Sequence, residues 1–453
     1  MVKKNHTFIC FLMFIVGLGR QIEFELFARV NLADMICIVS FPMTFMAIPS
    51  SLKRVSKFFL ISILLYLLSS VVAGVSAGLP IDLLMKGVMK PLFITGYFYF
   101  FLYTISVHPK SLAFFILGGL FSSLYNFIFP GKWDDEMIGK GRYGDVVARL
   151  TPLISIITTP LLYISFKKSR ILGGLISLVN PAVKMYLGAA RSQILISSFP
   201  SIFFIFIGFG LFHKKKFIEK IKISSILKTS TLIVLMVFIL AKGYMYIAPR
   251  GILGEEHRLK YEHQTSTVFG ESIIGLMIAG RTPVYAAYLG VKENPVIGVG
   301  SWNRFATAEY MIMAAEDMGA TADREQVYNS IYEGGGAGHS VFFQEWLEQG
   351  IGAAIFWIFA FISCSKLFVF VLQNDCVITP LYISGITAFY WSFFFSPLDA
   401  GTRLMVPLFL ATYFIVTKPS CFQTKFFASF DYRNSWKEII SSREIPIDLD
   451  KRV

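Results

Sequence analysis

The chain has 453 residues, of which 55% are apolar, 16% aromatic and 16% charged. Soluble domains carry roughly 25% charged residues, so this composition excludes two or three soluble domains of ordinary make-up. The net charge of +13 belongs to loops between apolar runs, which points to topology and leaflet attraction and away from nucleic acid. Five cysteines (Cys10, Cys37, Cys364, Cys376, Cys421) sit in or beside apolar stretches without paired spacing, so neither a disulfide framework nor a zinc site is expected.

A bilayer core of about 30 Å takes roughly 20 apolar residues per helix. About twelve such segments are read along the chain, centred near Phe14, Phe41, Leu65, Phe98, Leu117, Ile157, Leu178, Phe204, Val234, Ile358, Phe389 and Leu410. The first follows Lys3 and Lys4 as a signal peptide would. Arg20, Glu23, Glu25 and Arg29 come next in place of a small-residue cleavage site, so it reads as a retained span. The fourth carries Lys86 and Lys90 in its first turns, and the seventh is interrupted by Asn180-Pro181.

With the N-terminus inside, alternate loops hold Lys53/Arg54/Lys57, Lys110, Lys167/Lys168/Arg170, the lysine cluster from Lys214 to Lys228, and Lys366. The basic tail after Lys418 falls on the same side. Outside loops mix signs, as in Lys132-Trp-Asp-Asp-Glu136. This is a positive-inside pattern with both termini cytoplasmic. The expected fold class is therefore an all-α polytopic membrane protein with one large, partly helical extracytoplasmic loop before the tenth span. Its divisions are a bundle of about nine spans over 1–247, the loop over 248–338, about three spans over 339–417 and a cytoplasmic tail over 418–453. The long polar loop contains amphipathic stretches, Ser272–Leu289 and Arg304–Met318, and loops of such length are usually functional or disordered.

Three basic residues lie at or near the outer mouth: Arg191 at the head of the eighth span, Arg281 within the long loop, and His339 where that loop returns to the membrane. A histidine accepts a proton near neutral pH, and arginines hold phosphate oxygens through forked, charge-assisted bonds. Together they form a transferase constellation. Each also has a plainer reading: Arg191 as an interfacial anchor, Arg281 as a solvated loop charge, and His339 with Ser340 as a helix cap. Glu345 and Glu348 follow on the same helix, where they suit its positive end. No metal ligand cluster stands in the outer loops; Asp134-Asp135-Glu136 reads as solvated loop.

The surrounding words decide between these readings. Arg281-Thr-Pro-Val-Tyr is followed by Lys292-Glu-Asn-Pro-Val-Ile-Gly-Val-Gly-Ser-Trp302, then by His339-Ser-Val-Phe-Phe-Gln-Glu-Trp-Leu-Glu-Gln-Gly-Ile-Gly352. This order resembles the O-antigen ligase and polymerase superfamily of bacterial surface-polysaccharide enzymes, as do, more weakly, Arg142-Tyr-Gly and Arg191-Ser. Ser340 stands where the family often has Asn. The specific words occupy some 75 residues.

The resemblance implies a glycosyltransferase of the bacterial inner membrane without a nucleotide-sugar site, and the outer-loop residues call for no metal or other cofactor. Its donor is a saccharide on undecaprenyl diphosphate at the extracytoplasmic face, and its acceptor a glycan or lipid-glycan. His339 would be the catalytic base, Arg191 and Arg281 the diphosphate clamps, and Arg142, Glu345 and Glu348 supporting residues. The leading expectation is a polymerase of lipid-linked repeat units, working alone or with a chain-length regulator. A ligase passing the glycan to lipid A core shares the donor chemistry. A lipid-linked oligosaccharide transporter or a scaffolding protein are the other classes, and the chain lacks the internal repeat common in transporters.

Overall fold

The computed structural model describes residues 6–25, 29–129, 157–165, 169–186, 191–209, 242–252, 254–266, 279–319, 323–334, 340–374 and 378–417, with a few isolated positions between them. The described residues are helical almost throughout. Their only strands are β1 (Glu23–Glu25) and β2 (Arg29–Asn31), an antiparallel hairpin pairing Phe24 with Val30. The basic segment 210–230, Val234 and the tail from 418 lie outside the described residues, as do the Lys132–Glu136 segment, Cys376 and Cys421.

The first half begins with α1 (His6–Leu18), α2 (Leu32–Ala47), the short α3 (Ser50–Val55), α4 (Lys57–Ser76), α5 (Ile81–Val107) and α6 (Ser111–Ile128). After them come α7 (Arg170–Ser177), α8 (Val179–Tyr186) and α9 (Arg191–Gly208). The expected seventh span divides at Leu178 into α7 and α8, and Pro181 falls in the first turn of α8, where its missing N–H is tolerated.

The polar region supplies α10 (Glu255–Thr265), α11 (Thr282–Glu293), α12 (Arg304–Asp317) and α13 (Arg324–Gly334). Pro283 sits at the start of α11, and Asn303 Oδ1 accepts from Ala306 N (3.2 Å) to start α12. The chain closes with α14 (Val341–Gln349), α15 (Ile351–Gln373), α16 (Thr379–Phe395) and α17 (Ala400–Val416). Lys366, expected in a loop, lies within α15, because the apolar run carries the helix on to Gln373.

Among the described residues four helices are long and apolar enough to cross a membrane: α4, α5, α6 and α15. Shorter apolar helices lie at His6–Gln21, Leu32–Ala47, Arg170–Val183, Ser197–Ile207 and Ala400–Val416. The described residues are thus almost wholly helical, with helices of membrane-spanning length and composition.

Helix α5 is the axis of the main core. It packs against α2, α4 and α17, while α15 packs against α4, α16 and α17. Aromatic rings fill these seams: Phe59 of α4 stacks on Phe98 of α5 at 3.7 Å between centroids, and Tyr66 stacks on Phe356 at 5.4 Å. A smaller apolar cluster joins α11 and α12 to α14 through Ala286, Ala287, Val291, Tyr310, Ala314 and Leu347. The polar region is therefore seated on α14, next to the ends of α4 and α5.

Candidate functional site

Helix α14 is fixed at both ends. At its start the buried Ser340 hydroxyl accepts from Phe343 N (3.1 Å) and donates to Phe393 O (2.7 Å) on the last turn of α16. One hydroxyl thereby caps the helix and ties it to the bundle. The helix ends at Gly350, whose φ of 74° and ψ of −167° turn the chain into α15. A Cβ at Gly350 would lie 2.3 Å from Val296 O, so only glycine fits this crossing.

The partner in that crossing is the Asn294–Trp302 segment. Val299 N donates to Leu347 O (2.8 Å), Ile351 N to Val296 O (2.9 Å), and Trp346 Nε1 to Pro295 O (2.7 Å). Gly298, at φ 82°, passes within close contact of the Gln349-Gly350 backbone. The two sequence words, joined between residues 48 and 55 positions apart, are thus one hydrogen-bonded unit.

Under this unit lies a buried ionic cluster. Lys90 Nζ, on α5, donates to Glu345 Oε1 and to Glu348 Oε2, both at 2.7 Å. Glu345 also accepts from Gln349 Nε2 (2.8 Å) and from Tyr66 OH, and Ser70 of α4 donates to Gln349. Glu348 also accepts from Ser301 Oγ (3.3 Å) and Gln344 Nε2 (2.9 Å). Each carboxylate therefore has three donors, the arrangement a buried charge requires. Burial holds the Glu345 carboxyl above the ordinary carboxylate range; Lys90 opposes this and the Glu348 charge adds to it. Glu348 lies in the last turn of α14, so Lys90 and its neighbours hold it, and the positive end of the helix dipole does not.

A second cluster sits two turns further along α5. Arg403 of α17 meets Asp34 of α2 (NH2 to Oδ2, 2.6 Å), and Tyr97 OH and Asn31 N also donate to Asp34, each at 2.9 Å. The Arg403 guanidinium lies 4.9 Å from the centroid of the Phe93 ring. Lys90, Phe93 and Tyr97 stand at i, i+3 and i+7, so one face of α5 presents both clusters, about 10 Å apart along the axis.

Of the residues singled out in the sequence, Glu345 and Glu348 come together on Lys90. Arg281 is the N-cap residue of α11, with its guanidinium 5.4 Å from the centroid of the Trp391 ring on α16. Burial lowers the Arg281 pKa from the ordinary arginine value. Arg281 and Ser340 thus both reach the last turns of α16, at Trp391 and Phe393. Arg191 is the first residue of α9, and its side chain lies outside the described residues. His339 and Arg142 also lie outside them. Among the described residues no three His, Cys, Asp or Glu side chains are grouped to hold a metal ion.

Sequence reasoning noted Lys90 only as a lysine within the fourth span and gave no role to it, Tyr66, Ser301, Asp34 or Arg403. The signal was present for three of them: an ionisable residue inside an apolar helix is expensive and is kept for a partner or a function. No family model matches the chain, and neither a curated protein nor a solved structure matches it.

Proposed function

We propose that the protein is a membrane glycosyltransferase that polymerises saccharide units carried on undecaprenyl diphosphate at the extracytoplasmic face of a bacterial inner membrane. An acceptor hydroxyl attacks the anomeric carbon of the donor and gives its proton to His339. The new carbon–oxygen bond forms as the bond to the diphosphate breaks, with inversion, and the departing charge is neutralised by Arg281 and Arg191. Glu345 and Glu348 support the site from α14.

One observation carries this reading. The Asn294–Trp302 word and the helix that follows His339, which together carry the family resemblance, are joined by backbone hydrogen bonds at Val296–Ile351 and Val299–Leu347. The segments that carry the resemblance are thereby one local unit. The test is polymer and undecaprenyl diphosphate released by the purified protein in liposomes supplied with an undecaprenyl-diphosphate-linked repeat unit. Wild type yields both products, and His339→Ala yields neither at equal membrane level. Transfer to lipid A core without elongation would replace polymerase by ligase, and full activity of His339→Ala would remove the base.

A further inference from the structure

Among the described residues, none covers the outer face of the Val296–Trp302 segment. Val296 is 60% exposed, Ile297 45% and Trp302 36%. This is not a slack loop. Val296 O and Val299 N are bonded to the α14–α15 junction, Asn303 Nδ2 donates to Val299 O (2.8 Å), and Ser301 fits over α5 where Gly87 lacks a Cβ. Trp302 has φ of 60°, the only positive value at a non-glycine among the described residues. A rigid, strained backbone therefore holds apolar side chains outward.

The surfaces on either side are those of apolar helices long enough to span. On α15, Ile351, Ile355, Ile358 and Ile362 form one exposed stripe, each between 43% and 47% exposed, at helical spacing along the face a bilayer would cover. Ile351 N is bonded to Val296 O, so the stripe runs directly onto Val296 and Ile297. Ser301 packs on α5 at Gly87, and Ile81 and Met85 at the start of that helix are also exposed. On the same helix Lys86 Nζ stands 5.8 Å from the centroid of the Trp302 ring. An indole beside a lysine at the end of an apolar helix suits the headgroup level. The indole lays its apolar body toward acyl chains, and the lysine stem runs along apolar surface to place its ammonium among phosphates.

We infer that Val296–Trp302 is a membrane-surface segment. Its apolar face rests on the acyl chains of the leaflet at the Ile81 end of α5, with Trp302 and Lys86 at headgroup depth. The occupant of this face is lipid, because the face is continuous with the lipid stripe of α15. The irregular backbone is compatible with that depth because its inner side is bonded to protein. The polar region is thereby tied to the bilayer at its middle as well as at its ends. This inference does not depend on the glycosyl-transfer reading.

The test uses nitroxide labels at Ile297→Cys, at Ile355→Cys as the lipid reference and at Glu316→Cys as the aqueous reference. Each is placed singly in the cysteine-free full chain, reconstituted in phosphatidylethanolamine–phosphatidylglycerol liposomes. The Ile297 label should be relaxed more by oxygen than by a water-soluble nickel chelate, as at Ile355. Nickel dominance, as at Glu316, overturns the inference. So does shielding from both reagents with dipolar broadening, which would mean that a second copy covers the face. A label-free measurement guards against a disturbed fold: Trp302→Phe should lower the share of tryptophan emission quenched by lipids brominated near the headgroup. An unchanged share overturns the inference as well.

Discussion

Lys90 and Glu345 lie 255 residues apart in the chain, and their Nζ and Oε1 atoms meet at 2.7 Å. The same ammonium holds Glu348 at 2.7 Å, so one lysine on α5 fixes two turns of α14. Through α14 it fixes the segment that hydrogen-bonds to it. Both carboxylates are buried, and removing the one cation they share leaves them uncompensated.

Lys90→Met should therefore destabilise the protein by about 3–5 kcal/mol, the usual consequence of breaking a buried ion pair from one side. The triple change Lys90→Met, Glu345→Gln, Glu348→Gln should recover most of that loss, because the amides keep acceptors for Tyr66, Gln349 and Ser301 without a charge to bury. The midpoint of unfolding in detergent measures both. A wild-type midpoint for Lys90→Met would show that the cluster is not a stabilising one.

Gly350→Ala tests the crossing of the two motifs. Its φ of 74° and the Val296 oxygen 2.3 Å from a Cβ combine backbone strain with a clash against main chain. Strain alone costs about 1–3 kcal/mol, and the clash adds to it. Gly401→Ala is the control: its Cβ would meet nothing nearer than 3.6 Å, at the Asp399 carboxylate, and a helix-compatible surface change should stay within about 0.5 kcal/mol. Equal stability of the two variants would mean that the Asn294–Trp302 segment does not press on Gly350.

The arginines separate a clamp from an anchor. Under the proposed reaction, Arg281→Lys and Arg191→Lys keep the charge and lose the fork that aligns a diphosphate. Turnover per inserted protein should fall roughly ten- to a hundredfold, about 1.4–2.7 kcal/mol of transition-state stabilisation. Alanine at either site should be worse. Arg281 lies over the Trp391 ring, so Trp391→Leu should weaken turnover through a displaced guanidinium while leaving the charge in place. Wild-type turnover in both lysine variants would return the two arginines to the role of interface anchors.

Much of this architecture was legible in the sequence because its causes are local. Apolar runs of span length determined α4, α5, α6 and α15, since a long stretch with few polar side chains can bury its backbone only by bonding it internally. Ser340 determined the start of α14 through its own hydroxyl, and Pro283 sits where α11 begins. The order of the Arg281, Asn294–Trp302 and His339–Gly352 words was visible, and with it the region worth reading as a site.

What only the tertiary structure decided is who meets whom. Lys90 was visible as a lysine in the first turns of a span, yet nothing in its neighbourhood names Glu345 and Glu348. Side chains from α5 and α14 are brought together by packing, which depends on many distant apolar contacts at once. The same holds for Asp34 and Arg403, 369 residues apart and joined at 2.6 Å. The break at Gly350 also escaped the sequence: a glycine before an apolar helix is compatible with a continuous helix. At Gly350 the Val296 carbonyl, delivered from another segment, accepts from Ile351 N and leaves no room for a side chain.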